Sequence, residues 1–139
     1  MIVFEVEGTP RPQGSKSNVG RGIMVESSKY VAEWRSWVRF RAATAFVGLQ
    51  PLVGAVQVNV EFCFDRPQTH STKKGLRPNA PEFKPTKPDI DKLLRAVLDA
   101  MTGVCFADDS QVVAIYCTKK FSRAAVTKVE VFNLSGDSE

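Results

Sequence analysis

Apolar and polar residues alternate most regularly in the middle of the chain. Val56, Val58, Val60, Phe62 and Phe64 take every second position, with Gln57, Asn59, Glu61 and Cys63 between them. Successive side chains of a strand point to opposite faces, so this segment predicts a strand in a sheet covered on one side. Ile2 to Glu7 alternates in the same way and predicts an earlier strand. Gln111 to about Phe121 and Val126 to Leu134 predict two more, joined by a turn at Arg123 to Ala125.

The period changes to that of a helix in two places. From about Lys29 to Val47, Tyr30, Trp34, Trp37, Val38, Phe40 and Ala45 supply apolar bulk, and Ser27 or Ser28 can cap the start. Trp34 and Trp37, three residues apart, have the spacing to stack on bases, but such a pair more often lies in a core. From about Asp89 to Met101, Leu93, Leu94, Val97, Leu98 and Met101 fall on one helical face. Pro88 precedes this helix and Gly103 follows it, as start and stop signals should. Strands and helices of this kind predict a mixed α/β (α+β) fold, with a small mixed sheet of about four strands and two main helices.

Two stretches carry no period. Gly8 to Gly22 is rich in Gly, Pro, Ser and basic residues and reads as a loop. It is either a phosphate-contacting arm through Arg11 and Lys16 or a plain surface loop. Asp65 to Pro88 is a long, proline-rich loop, and loops of that length are usually functional or disordered. Between Arg66 and Pro88 six basic residues, Arg66, Lys73, Lys74, Arg77, Lys84 and Lys87, stand against Glu82 alone, a local net charge of +5. A basic loop facing DNA and a solvated insert both fit that composition. His70, the one histidine, lies in the same loop.

Composition narrows the class. At 139 residues the chain predicts one domain, residues 1–139, with enough buried surface for a core. The net charge of +4 points only weakly to a polyanionic partner, so the local concentration matters more. Cys63, Cys105 and Cys117 are odd in number and form no CxxC, which argues against a disulfide framework or a zinc site. The acidic N-terminal residues do not resemble a signal peptide, and no apolar run reaches 18 residues. The expectation is a cytoplasmic protein with no membrane partner.

Candidate chemistry gathers round the second helix. Asp89 and Asp91 stand at its start, Asp99 within it, and Asp108 and Asp109 after it. Acids in a first turn are stabilised by the helix dipole, and paired acids in a loop are common, so each alone is ordinary. Together they match what Mg²⁺ takes, a few carboxylate oxygens with water and phosphate completing the shell. A helix of about 13 residues is about 20 Å long. The two acid pairs therefore meet only if the chain doubles back after Gly103, or if a second subunit contributes. Arg95, four residues from Asp91 and from Asp99, is placed to pair with either, or to hold a phosphate.

The run from Lys87 through Asp89, Asp91, Arg95 and Asp99 to Gly103, followed by Asp108-Asp109-Ser110-Gln111-Val112-Val113, resembles the RusA family of crossover-junction endodeoxyribonucleases. The close likeness spans Lys84 to Val113, about a fifth of the chain. It implies a homodimer that binds Mg²⁺, with Mn²⁺ as substitute, and resolves Holliday junctions by paired nicks in DNA recombination and repair. It also implies that Asp89, Asp91 and Asp109 are the metal-binding catalytic aspartates. Arg95 stands where the family has a catalytic lysine, and Lys92 where it usually has asparagine. Arg95 keeps the charge but does not act as a proton donor. Arg11, Lys16, Lys73, Lys74, Arg77, Lys84, Lys87 and Lys92 are then expected to grip DNA through phosphates. Two rival readings remain: a junction-binding protein that does not cut, and a metal-dependent nuclease for forks or flaps.

Overall fold

The computed structural model describes residues 1–14, 16–18, 24–26 and 28–135, and side chains for 1–14 and 30–135. Its elements run β1 (Ile2–Glu7), β2 (Lys16–Asn18), β3 (Met24–Glu26), α1 (Ser28–Ala45), β4 (Val56–Asp65), β5 (Ser71–Thr72), β6 (Gly75–Leu76), α2 (Ile90–Met101), β7 (Val112–Ser122) and β8 (Val126–Asn133). Four strands make one mixed sheet in the order β1-β8-β4-β7. β8 is antiparallel to both its neighbours, and β7 is parallel to β4.

The alternation in β4 does what the pattern predicts. Val56, Val58, Val60, Phe62 and Phe64 are buried on the covered face, with Phe4 and Val6 of β1 and Val129 and Val131 of β8. Both helices lie on that face. Val31, Trp34, Val38 and Ala42 of α1 and Leu93, Ala96, Val97, Ala100 and Met101 of α2 close the core. Each large side chain buried there contributes about 1.5–3 kcal/mol. α1 packs on β1 and on α2, and α2 packs on β7. A parallel pair needs a crossover, and the long connection from β4 to β7 carries α2. In consequence α2 runs antiparallel to β7, and this direction fixes where the acids lie. Among the described residues no helix is long and apolar enough to cross a membrane.

The structure corrects both loop expectations. Within Gly8 to Gly22, β2 pairs with β3, Lys16 opposite Glu26 and Asn18 opposite Met24. The side chain of Lys16 lies outside the described residues. The segment Asp65 to Pro88 is not structureless either. Gln68–His70 forms a short helical turn and β5 pairs with β6. Arg66 donates to the carbonyl of Pro81 at 2.7 Å, and Arg77 to that of Thr69 at 2.8 Å. Its far end is laced to β7, with Lys84 N–H to Lys119 C=O at 3.0 Å and Phe121 N–H to Glu82 C=O at 2.9 Å. Backbone pairing and arginine-to-carbonyl bonds satisfy polar groups without any apolar period, so the hydropathy pattern does not register them.

The tryptophans divide. Trp34 is core, whereas Trp37 is partly exposed, stacked on Phe40 at 5.4 Å between centroids, and donates to the carbonyl of Glu7. The three cysteines are free.

Candidate active site

Asp89 occupies the N-cap of α2, yet its side chain makes no capping hydrogen bond. An N-cap aspartate ordinarily accepts from the second or third amide of the helix. Here helix capping does not account for the carboxylate, which is exposed and meets Lys92 Nζ at 3.8 Å. Asp91 is exposed in the first turn and accepts from the backbone N–H of Lys92 at 2.9 Å. Two carboxylates thus share the positive end of the helix dipole.

A third group joins them that the sequence reading did not single out. Lys119 of β7 donates from Nζ to the carbonyls of Thr86 and Pro88, both at 2.7 Å. The Lys87–Pro88 peptide between those carbonyls is cis. Desolvation, and then the charge of Lys84, lower the pKa of Lys119, while Asp89 pulls it upward. The available signal was parity. Lys119 shares the face of β7 that carries Ile115, Cys117 and Phe121, opposite Phe62 of the core strand.

The other acids lie at the far end of α2. Asp99 accepts from Gln13 Nε2, and Gln13 Oε1 accepts from Arg35 of α1 at 2.6 Å. The backbone N–H of Gln13 meets the carbonyl of Lys92 at 2.9 Å. Arg95 was expected to pair with Asp91 or Asp99. Among the described residues neither ion pair forms, because Asp99 is taken by Gln13 and Arg95 lies against the 8–14 loop. Gly14, with φ of +87°, is so close that a Cβ there would stand 2.8 Å from Arg95 Nη1. Arg39 of α1 donates to the carbonyls of Ala100 at 3.4 Å and Thr102 at 3.0 Å, which closes the C-terminal end of α2.

Asp108 and Asp109 have different tasks. Asp108 caps the short helical turn Asp109–Gln111, accepting from Ser110 N–H at 3.0 Å, while Gln111 Oε1 accepts from the N–H of Asp108. That amide bond lowers the pKa of Asp108, and its hydrogen bond with Asp109 lowers it further. Asp109 is exposed and shifted upward, first by its bond to Asp108 and then by desolvation and the charges of Asp108 and Asp99.

Within one chain the acids therefore form two groups. Asp89 and Asp91 stand at the start of α2, and Asp99, Asp108 and Asp109 at its end. Twelve residues of helix separate the ends, about 18 Å. The chain does turn back after Gly103, but β7 then runs away from Asp109 toward Lys119. Among the described residues no three His, Cys, Asp or Glu side chains gather closely enough to hold a metal ion.

The basic residues spread over the loops. Lys73 and Lys74 are exposed at the β5–β6 turn, and Lys87 is exposed beside α2. The guanidinium of Arg11 lies 5.1 Å over the Tyr30 ring. Lys84 lies over the Phe64 and Phe121 rings and donates to Thr86 Oγ1 at 2.9 Å.

A model of the endodeoxyribonuclease RusA family matches residues 4–132, nearly the whole chain. This chain belongs to the RusA family. The match takes in both acid groups, β4 and the β7–β8 hairpin, well beyond the short run that carries the sequence likeness. RusA-family proteins are endodeoxyribonucleases that act on branched recombination junctions. The chain is also 29% identical over 143 residues to the uncharacterized protein YqaN of Bacillus subtilis (strain 168), covering 96% of this chain and 97% of that one.

Proposed function

We propose that this RusA-family chain is a Mg²⁺-dependent resolvase that cuts four-way DNA junctions by paired nicks as a homodimer, with Mn²⁺ as a substitute metal. The observation that carries the reading is the state of the acids. Asp89 sits at an N-cap without capping, and Asp91 and Asp109 are exposed, so structural duty does not explain the set. Hard carboxylate oxygens are the donors Mg²⁺ takes. One chain does not bring the three together, so the site needs Asp89 and Asp91 from one subunit and Asp109 from the other. A bound cation supplies water activation and charge neutralisation at the scissile phosphate.

The chain's own residues do the rest. Lys119 holds the carbonyls at the entrance of α2 and so fixes where Asp89 points. Arg95, wedged against Gly14, offers a guanidinium to the phosphoryl oxygens on which charge develops. It acts through charge, since it does not titrate usefully. Lys92 adds a cation beside Asp89. Lys73, Lys74, Arg77, Lys84, Lys87 and Arg11 contact phosphates without reading sequence, and Lys16 belongs with them by charge.

Cleavage of a synthetic four-way junction tests the reading. The protein is incubated with Mg²⁺, with EDTA and as the Asp91→Asn variant, beside a fork and linear duplex of matching sequence. Symmetric nicking of the junction, lost with EDTA and in the variant, is the expected result. Tight binding without cutting would leave a junction-binding protein. Preferential cutting of the fork would move the substrate to other branched DNA.

A further inference from the structure

We propose that Gln13 is a positioning residue that keeps Asp99 from pairing with Arg95, so that the guanidinium stays free for a phosphate of the DNA. The inference rests on the reading above, in which Arg95 meets the scissile phosphate.

Arg95 and Asp99 are four residues apart on α2, and both are exposed. Side chains at that spacing are neighbours on a helix, with about 5–6 Å between their Cβ atoms, and opposite charges there attract. Left to itself, α2 would draw its own arginine onto its own carboxylate. Asp99 instead accepts from Gln13 Nε2. A guanidinium already paired with a carboxylate has less to offer a phosphate, because both anions compete for the same planar fork of donors.

The partners of Gln13 explain why a glutamine stands there. Its Oε1 accepts from Arg35 Nη1 of α1 at 2.6 Å. The side chain therefore has a cation at one end and an anion at the other. A carboxamide accepts through its oxygen and donates through its nitrogen, so it satisfies both at once, and the two partners fix which way round it lies. A glutamate in its place would repel Asp99, and a lysine would repel Arg35.

Contacts outside this side chain hold the loop in place. Gly8 N–H meets the carbonyl of Ala125 at 3.1 Å, and Gln13 N–H meets that of Lys92 at 2.9 Å. The guanidinium of Arg11 covers the Tyr30 ring at 5.1 Å. Lys92 and Asp99 are about two turns of α2 apart, about 10 Å along its axis. Gln13 is bonded to both, and Arg95 leaves the helix between them, against Gly14. The backbone of Gln13 thus docks the loop on α2, and its side chain occupies the one carboxylate that follows Arg95 by a helical turn.

The test uses the full chain and a synthetic four-way junction. Wild type, Gln13→Ala, Gln13→Ala/Asp99→Asn and Arg95→Ala are compared in Mg²⁺ at saturating protein, with circular dichroism as a folding control. Gln13→Ala should cut at least about tenfold more slowly, short of the roughly hundredfold or more that outright loss of a charge-stabilising donor costs. The double variant should recover most of that rate, since asparagine carries no charge to capture Arg95. A double variant no faster than Gln13→Ala overturns the proposal, because a purely structural role gives that result. A second readout does not depend on cutting. The NMR signal of the Arg95 Nε–H in isotope-labelled protein should move in Gln13→Ala and return in the double variant, and a signal that stays put overturns the proposal even if the rate falls. Where Gln13→Ala fails to fold, Gln13→Glu replaces it, since it still accepts from Arg35 but does not donate to Asp99. An Arg95→Ala variant that cuts as fast as wild type overturns both the role of Arg95 and its protection by Gln13. A wild type that does not cut overturns the resolvase reading, and the NMR signal then decides the pairing alone.

Discussion

Lys119 Nζ lies 2.7 Å from the carbonyl of Pro88, so a strand residue holds the backbone immediately before the first acid of the site. Its second bond, to Thr86, makes it a clamp on the approach to α2. Lys119→Met removes two charge-assisted hydrogen bonds, each worth roughly 1.5–3 kcal/mol, less what solvent recovers for a half-buried ammonium. We expect a modest fall in thermal stability and a larger fall in junction cleavage. Lys119→Arg should recover part of both. Equal loss of cleavage in both variants, with stability unchanged, would mean that Lys119 contacts DNA instead.

The separation of Asp91 from Asp109 along α2 leads to a mixing experiment. Asp91→Asn and Asp109→Asn should each be inactive as pure proteins. Mixed dimers should regain Mg²⁺-dependent nicking, because one of their two sites draws both of its acids from intact positions. The product should be a singly nicked junction. Failure of the mixture, with exchange of subunits verified, would place the acids of each site within one chain.

Gly14 and Arg95 are matched in shape. With φ of +87° and Arg95 Nη1 2.8 Å from an added Cβ, Gly14→Ala must displace the guanidinium. The left-handed conformation alone costs about 1–2 kcal/mol for a residue with a side chain. Gly48→Ala is the control, since Gly48 has φ of +78° and nothing within 4 Å of an added Cβ. Both variants should lose similar stability, and only Gly14→Ala should lose cleavage. Equal cleavage in the two would remove Arg95 from the chemistry.

Glu61 gives a pH dependence. Desolvation raises its pKa, but hydrogen bonds from Lys120 and Cys63 and the charges of Lys120 and Lys128 outweigh it, and the net shift is downward from 4.5. A carboxylate whose folded pKa is depressed stabilises the fold above its ordinary pKa and loses that contribution as pH falls through the folded value. Glu61→Gln should therefore be less stable than wild type at neutral pH by up to about 1 kcal/mol, as for a largely exposed pair. The difference should shrink in the acid range. A difference that does not vary with pH would mean the side chain acts by packing.

The parts of the fold with a strong period were legible. β4 alternates without interruption over its apolar face, and α2 concentrates its leucines on one side, so burial alone dictates both. β2, β3, β5 and β6 are two or three residues long and hold together by backbone pairing, which leaves no period to read. The acids were legible as a set but not as a site. A helix is a rigid rod, and acids at its two ends stay apart unless something outside it joins them. The roles of Asp108 and Asp109 separate through a local cap that the pair of letters does not reveal. Lys119 and Arg39 were missed for a common reason: each acts on backbone carbonyls far away in sequence, and any carbonyl presents the same acceptor.

The position of β4 in the sheet has a consequence during synthesis. β4 lies between β8 and β7, and both follow it in the chain. A ribosome that has released α1, β4 and α2 has made the helix that carries the candidate acids but neither neighbour of the central strand. Non-local pairing of this kind forms late. The acids ahead of β7 and the lysine within it can take their places only once the closing hairpin has emerged, so a partly made chain carries the parts of a nuclease without their alignment.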